Sequence, residues 1–528
     1  MSAQASGRRI VNIINFVRGC EPRQPAPDLL EPVQRQVKLL KQHDLPATFL
    51  LQYDALQQSR FTDLLQRELD DRYELGVWLE IVEPLVEAAG IPWRGRFPWD
   101  WHAHVGFSVG YTPTERERLI DALMHSFKQK FGTYPASMGS WFIDAHTLAY
   151  AADRYGLVAS CNCKDQVGTD GYTLWGGYYS QAYYPSKVNS FMPAQHANHQ
   201  IQVPIFRMLG SDPIYQYDLN LGSKAQGVAT LEPVYKDGGG NPKWVRWFFD
   251  VNFNGPFLAF SYAQVGQENS FGWPRMGAGL TDQMEYVAGQ RAAGQLEVET
   301  LADSGRWFRN KFALTPATAV TALQDSQDQD RKTVWYNSRF YRVNLLWEDK
   351  HMRIRDIHIF DETFAERHLT DPCSTPDCVY ETLPVLDGHL WSGPGEIAGI
   401  RPVVLDAQGN AHHLLGTDPQ VHEKGSDTLV VDWPLSDGGV LQVTCAPESL
   451  TFALIDRPED ELGLEMSWCA ERPVAVTDVQ DQYLRFNFRG HEYHIQLLAA
   501  GSRQMAENRL VFNATSNGQI IMIMRVGK

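Results

Sequence analysis

The chain has 528 residues, 43% hydrophobic and 21% charged, which is the balance of a globular protein and too long for one ordinary core. Its net charge of −16 repels phosphate backbones and anionic lipid, so no nucleic acid and no membrane is expected as a partner, and a neutral substrate fits better. Seven cysteines, an odd number, argue against a disulfide framework, and neither Cys161-Asn-Cys163 nor Cys373 to Cys378 has the spacing of a structural zinc site.

In chain order, "RIVNIINFV" (9 to 17) reads as a buried strand and 29 to 43 as an amphipathic helix. "PATFLLQY" (46 to 53) is the next strand, with a helix over 56 to 69, and "YELGVWLEI" (73 to 81) the third strand. The stretch 113 to 132 has a helix start at Thr112 or Thr114 and a stop at Gly132. "ASMGSWFI" (136 to 143) is a fourth strand, followed by a helix over 145 to 155. Strands over 157 to 163, 201 to 209 and 255 to 265 complete the set. "KDGGGNPKW" (236 to 244) reads as a hairpin tip with no helix behind it.

Strand then helix, repeated seven times with apolar strands, predicts parallel pairing and burial on both faces. The expected fold is α/β, a (β/α)7-like barrel over residues 1–314, with a doubly wound open sheet as the alternative. No G-x-G-x-x-G follows the first strand, which argues against a dinucleotide site, and no cofactor is expected. From residue 315 the pattern changes to period-two segments separated by Gly, Asn and Asp turns, so 315–528 is expected to be an all-β, sandwich-type domain. His358 and Arg355 there read as half-buried strand residues, with an approach to the barrel as the alternative.

In a β/α barrel the chemistry gathers at the C-terminal ends of the strands. Here most strands deliver an acid to that rim. The first is followed by Arg18, Glu21 and Arg23, the second by Asp54, the third by Glu80, and the fourth by Asp144 and His146. The fifth leads to Asp165 and Asp170, the sixth to Asp212 and Asp218, the seventh to Glu268. Any one of them has a structural explanation: Asp144 and Asp54 stand where helix N-caps stand, and Asp170 and Asp212 sit in turn sequences. Their number is what suggests a carbohydrate-active carboxylate site, in which one acid is ionised and another protonated.

"G-S-W-F-I-D" (139 to 144) resembles the fourth-strand motif of family 57 glycoside hydrolases, and "QENSFGW" (267 to 273) resembles that family's acidic segment after the seventh strand. The barrel followed by a β-rich domain is similar to the wider group with family 38 mannosidases and NodB-type polysaccharide deacetylases. The resemblance implies a glycosidase, with Asp144 as nucleophile and Glu268 as general acid/base in a retaining double displacement. Asp144 replaces that family's Glu, Trp273 its His, and Gln267 lies where its Asp falls. Glu21, Glu80, His104, Asp165, Asp170 and Asp212 are expected to contact sugar hydroxyls, and Trp101, Trp141, Trp175 and Trp273 to stack on sugar faces, each Trp being equally consistent with plain packing.

NodB-type deacetylases hold a metal with an Asp beside the first strand and His-x-x-x-His after the third. This chain has Val17-Arg18-Gly19 and "GVWLEIVEP" there, so no metal is expected, with His102/His104 and His196/His199 left as open pairs. A non-catalytic carbohydrate-binding protein and a deacetylase-like enzyme are the alternatives. The N-terminus shows no apolar leader, so a cytoplasmic location is expected; homo-oligomer formation is left open.

Overall fold

The computed structural model describes residues 7–22, 26–457, 459–480 and 482–526. Seven parallel strands form the first sheet, in the order Phe260–Val265, Arg8–Val17, Ala47–Leu51, Tyr73–Trp78, Ser137–Gly139, Ala159–Cys163, Ile205–Met208. The ten-residue strand Arg8–Val17 is long enough to be shared. Its first half also pairs with Glu297–Glu299, and its second half with Ala47–Leu51.

Side chains alternate along this strand with period two. Ile10, Ile14 and Phe16 join the barrel interior with Leu50, Trp78, Cys161, Phe206, Met208 and Tyr262. Val11, Ile13 and Val17 face outward against the helices. Among the described residues no backbone pairing joins Ile205–Met208 to Phe260–Val265, so the barrel is nearly closed. A side chain spans the gap instead: the Leu209 N–H donates to Gln264 Oε1 at 3.0 Å.

The helices cover the outer face as the repeated pattern predicts. Pro113–Phe131 starts in a capping box, with Thr112 and Glu115 satisfying each other's backbone N–H, and ends at Gly132 with φ 82°. One expectation is corrected. The glycine turn at 236 to 241 is not a hairpin tip, because the helix Pro242–Phe253 begins directly behind it, capped by the Asn241 side chain with Pro242 in its first turn. Asn followed by Pro is an N-terminal helix signal, and the glycine run masked it.

From Thr318 onward the chain is strand and turn, with no helix among the described residues. Two antiparallel sheets of ten and eight strands form a sandwich. One segment leaves them: Cys378–Glu381 pairs in parallel with Tyr172–Trp175, beside Gln166–Thr169, on the barrel side. Arg116 adds to this docking by donating to His368 O and Leu369 O, as does the Cys373 N–H by donating to Val109 O. No described helix is long and apolar enough to cross a membrane.

Candidate active site

A cleft of about 660 Å³ opens at the C-terminal ends of the barrel strands. Its floor follows from strand periodicity. Phe16 and Trp78 point into the barrel with ring centroids 4.2 Å apart. Two residues further along each chain, on the same face, stand Arg18 and Glu80. Arg18 binds Glu80 in a fork, Nε to Oε2 at 2.9 Å and Nη2 to Oε1 at 2.7 Å. Glu80 also accepts from Trp141 Nε1 and Gln52 Nε2, each at 2.8 Å.

The third Arg18 nitrogen turns to the seventh strand's loop. Nη1 lies 3.2 Å from Glu268 Oε2 and 3.3 Å from Ser270 Oγ, and Ser270 in turn donates to Glu268 Oε1 at 2.6 Å. Asn269 fixes the approach by accepting from the Arg18 N–H and donating to the Arg18 carbonyl, both at 2.9 Å. Burial works against the guanidinium, but the charges of Glu268 and Glu80 outweigh it and raise the Arg18 pKa. The floor is therefore one permanent cation shared by two carboxylates, with the Trp99 ring 4.1 Å beneath the guanidinium carbon.

A further carboxylate lines the same cleft from the irregular segment after the sixth strand. Glu232 accepts from Thr230 Oγ1 at 2.9 Å and from Gln267 Nε2 at 3.4 Å. Burial, with a smaller contribution from Glu268, raises its pKa against the opposing effect of Lys164. Lys164 and Asp170 reach the cleft from the fifth strand's loop, and Pro376 and Asp377 wall it from the C-terminal β-domain. Cys163 also lines it, but burial pushes its thiol up to about 12, which keeps it neutral and unreactive.

No family model and no curated protein matches the sequence. Among solved structures, a candidate glycoside hydrolase/deacetylase from Parabacteroides distasonis matches with TM-score 0.51 at 16% identity, over 72% of this chain and 92% of that one. The chain shares the β/α-barrel fold of that protein. A candidate polysaccharide deacetylase from Pseudomonas aeruginosa PAO1 and the Puue allantoinase also match, each with TM-score 0.37, at 12% and 13% identity, over 58% of this chain and 93% of each of theirs.

On this barrel fold the anticipated residues divide into two groups. Glu80, Trp101, Trp141, Asp170 and Glu268 line the cleft. Asp144 does not. It is wholly buried, caps the helix Ala145–Tyr155 through the Thr147 N–H at 2.8 Å, and binds Arg116 Nη1 at 2.9 Å and Ser108 Oγ at 2.6 Å. All its lone pairs accept hydrogen bonds beneath the docked C-terminal segment, so the structure places Asp144 as a helix cap and ion-pair partner away from the cleft lining. Its other close neighbour is Glu366 of the C-terminal β-domain, which accepts from the Ala145 and Ser190 N–H groups at 2.9 Å each.

The remaining anticipated contacts are also elsewhere. Asp165 is buried between Arg207, at 2.6 Å, and Arg342. Asp212 caps a turn at Ile214 and Tyr215 and accepts from Trp244 Nε1 at 3.0 Å. Trp175 is buried and donates to Asp387 Oδ2 at 2.9 Å. Trp273 opens the helix Trp273–Ala292 and packs over Gly277, and His104 sits on a short helical turn behind the cleft wall, stacked on His102. Glu21 is buried and adds to the negative field around Arg18, while Arg23 lies outside the described residues. Arg355 pairs with Asp218, and His358 contacts Thr382; neither lines the cleft.

The ends of the first and third strands do not fit a deacetylase metal. A guanidinium stands where an acidic ligand would be needed, and both Glu80 oxygens are committed to Arg18, Trp141 and Gln52. His196 and His199 both turn to Glu362, at 2.7 and 3.7 Å, on the surface. Among the described residues no group of three or more His, Cys, Asp or Glu is placed to hold a metal ion.

Proposed function

We propose that this protein is a glycoside hydrolase that cleaves a glycosidic bond with Glu268 and Glu232. The observation that carries the reading is the opposed environment of these two acids in one aromatic-lined cleft. Glu268 is ion-paired with the Arg18 guanidinium at 3.2 Å, whereas burial raises the Glu232 pKa and favours its protonated form. That is the division of labour a glycosidase needs.

In the proposed reaction a Glu268 oxygen attacks the anomeric carbon while Glu232 gives its proton to the departing glycosidic oxygen. The bond to the leaving sugar breaks and a glycosyl ester to Glu268 forms. Glu232, now a carboxylate, takes a proton from water, and the resulting hydroxide oxygen displaces Glu268 from the anomeric carbon. This double displacement retains configuration. Glu268 is thereby the nucleophile, the reverse of the role that the seventh-strand motif implies. Trp141, held edge-on to Trp78 at 5.2 Å, supplies an apolar face for the sugar ring.

The test is hydrolysis of a panel of aryl glycosides by wild type, Glu268→Gln and Glu232→Gln, with the product anomer read by proton NMR. Turnover by wild type with retained configuration, lost in both variants, supports the assignment. Undiminished turnover in either variant overturns it, and sugar affinity without turnover leaves the binding-protein alternative.

A further inference from the structure

The Arg18 guanidinium sits at the inner end of a row of aromatic rings that leads out of the cleft. Trp99 lies under Arg18, Trp101 is 6.0 Å from Trp99, and Phe97 is 5.9 Å from Trp101, nearly parallel to it at 13°. Exposure rises along the row, from 5% at Trp99 to 36% at Trp101 and 39% at Phe97. Trp101 and Phe97 are the aromatic members of the exposed large hydrophobic residues among the described ones. Two such rings side by side in water are a cost unless something covers them.

The segment that carries them is built to hold them still. Val82 bridges to Trp99, and the Glu83 N–H donates to Pro98 O at 2.9 Å. Arg96 binds buried Asp100 in a fork at 2.8 Å per bond, and its guanidinium carbon lies 5.0 Å from the Trp101 ring and 5.4 Å from Phe97. The rings are thus fixed by an ion pair whose arginine also supports both of them. Trp101 lines the cleft together with His102, Asp170 and Asp377, and Phe97 stacks on Trp101 just outside that lining.

We propose that the cleft takes an extended neutral oligosaccharide, with Trp101 and Phe97 carrying sugar units beyond the one at the carboxylates. This rests on the carbohydrate reading of the cleft but not on cleavage. A sugar chain presents alternating apolar faces and hydroxyl edges, which matches a narrow line of rings flanked by acids and histidine. A lipid or protein partner would call for a broad apolar patch, whereas the exposed aromatic surface here is the pair Trp101 and Phe97.

The experiment is calorimetric titration of the full chain with cello-, xylo- and chito-oligosaccharides of two to six units, using wild type, Phe97→Ala, Trp101→Ala and Trp101→Phe. Affinity is expected to rise with length in at least one series. The alanine variants should weaken the longest ligand about three- to tenfold and flatten the length dependence, and Trp101→Phe should restore it. Equal loss at every length, no loss in either alanine variant, or no binding in any series would overturn the proposal. Length-dependent binding without product would sustain it while removing the glycosidase assignment, so the two fail separately.

Discussion

Glu232 and Glu268 are joined by one side chain: the Gln267 amide donates to Glu232 Oε1 at 3.4 Å and accepts from the Glu268 N–H at 2.9 Å. The bridge fixes the two acids relative to each other from the strand end, and it couples their positions without neutralising either.

The proton donor can be identified from pH. Burial raises the Glu232 pKa, so its acid form persists to higher pH than in a free glutamate. Turnover should therefore fall as pH rises through the Glu232 pKa. Glu232→Gln should remove that alkaline limb and lower kcat about 10²–10⁴-fold. Aryl glycosides with a strongly acidic leaving group should be spared most of the loss. A pH–rate profile unchanged in the variant would rule Glu232 out as the donor.

Arg18 is predicted to matter for folding as well as for the site. Arg18→Met leaves Glu80 and Glu268 without their shared cation, and breaking a buried pair in this way costs about 3–5 kcal/mol. Urea denaturation should show the loss as a lower midpoint with an unchanged slope. A wild-type midpoint would mean that the carboxylates find another partner or take up protons at no cost.

Asp144 should behave as a structural residue. Asp144→Asn strands Arg116, which is wholly buried, and should cost about 3 kcal/mol or more. Turnover per folded molecule, measured well below the melting temperature, should stay within about twofold of wild type, a small fraction of what losing a catalytic acid costs. A thousandfold loss in a protein of normal stability would return Asp144 to the chemistry.

Glu366 gives the domain contact a pH dependence. Burial, reinforced by the Asp144 charge, raises its pKa to about 8. A carboxyl with a raised folded-state pKa contributes stability that is complete below its unfolded value near 4.5 and is lost as pH rises toward about 8. The melting temperature should fall across that window, and Glu366→Gln should flatten the fall. Parallel curves for wild type and variant would show that Glu366 does not titrate there.

Metal removal should change nothing at the cleft, because its central cation is a guanidinium. Dialysis against a chelator is expected to leave sugar binding and turnover as they were, and metal analysis of the purified chain to find substoichiometric zinc. Restoration of a lost activity by added zinc would contradict the assignment.

The barrel was legible because its evidence is periodic: apolar strands of three to ten residues, capped helices, and Gly132 at the expected stop. The rim acids could be enumerated but not sorted, since the residue that caps a helix and the residue that meets a substrate occupy the same sequence position. Asp144 caps a helix, and Glu80 lines the cleft. What separated them was the strand face: Glu80 is two residues past inward-pointing Trp78, whereas Asp144 is turned aside by the helix that it starts. Glu232 had no signal at all, lying in an irregular segment whose regular structure between the sixth strand and the helix at Pro242 is the short 3-10 turn Gln216–Asp218. Asp377 comes from some 200 residues beyond the fifth strand's loop, a proximity that only the parallel pairing of Cys378 with Tyr172 creates.

That pairing has a consequence for descent. Tyr172–Trp175 belongs to the barrel half and Cys378–Glu381 to the other, yet they make one ribbon, and Pro376 and Asp377 just before it form part of the cleft. A recombination event that exchanged everything after residue 315 would replace a wall of the cleft along with the C-terminal β-domain. Substitutions in the part that carries none of the proposed chemistry would therefore reshape the cleft wall.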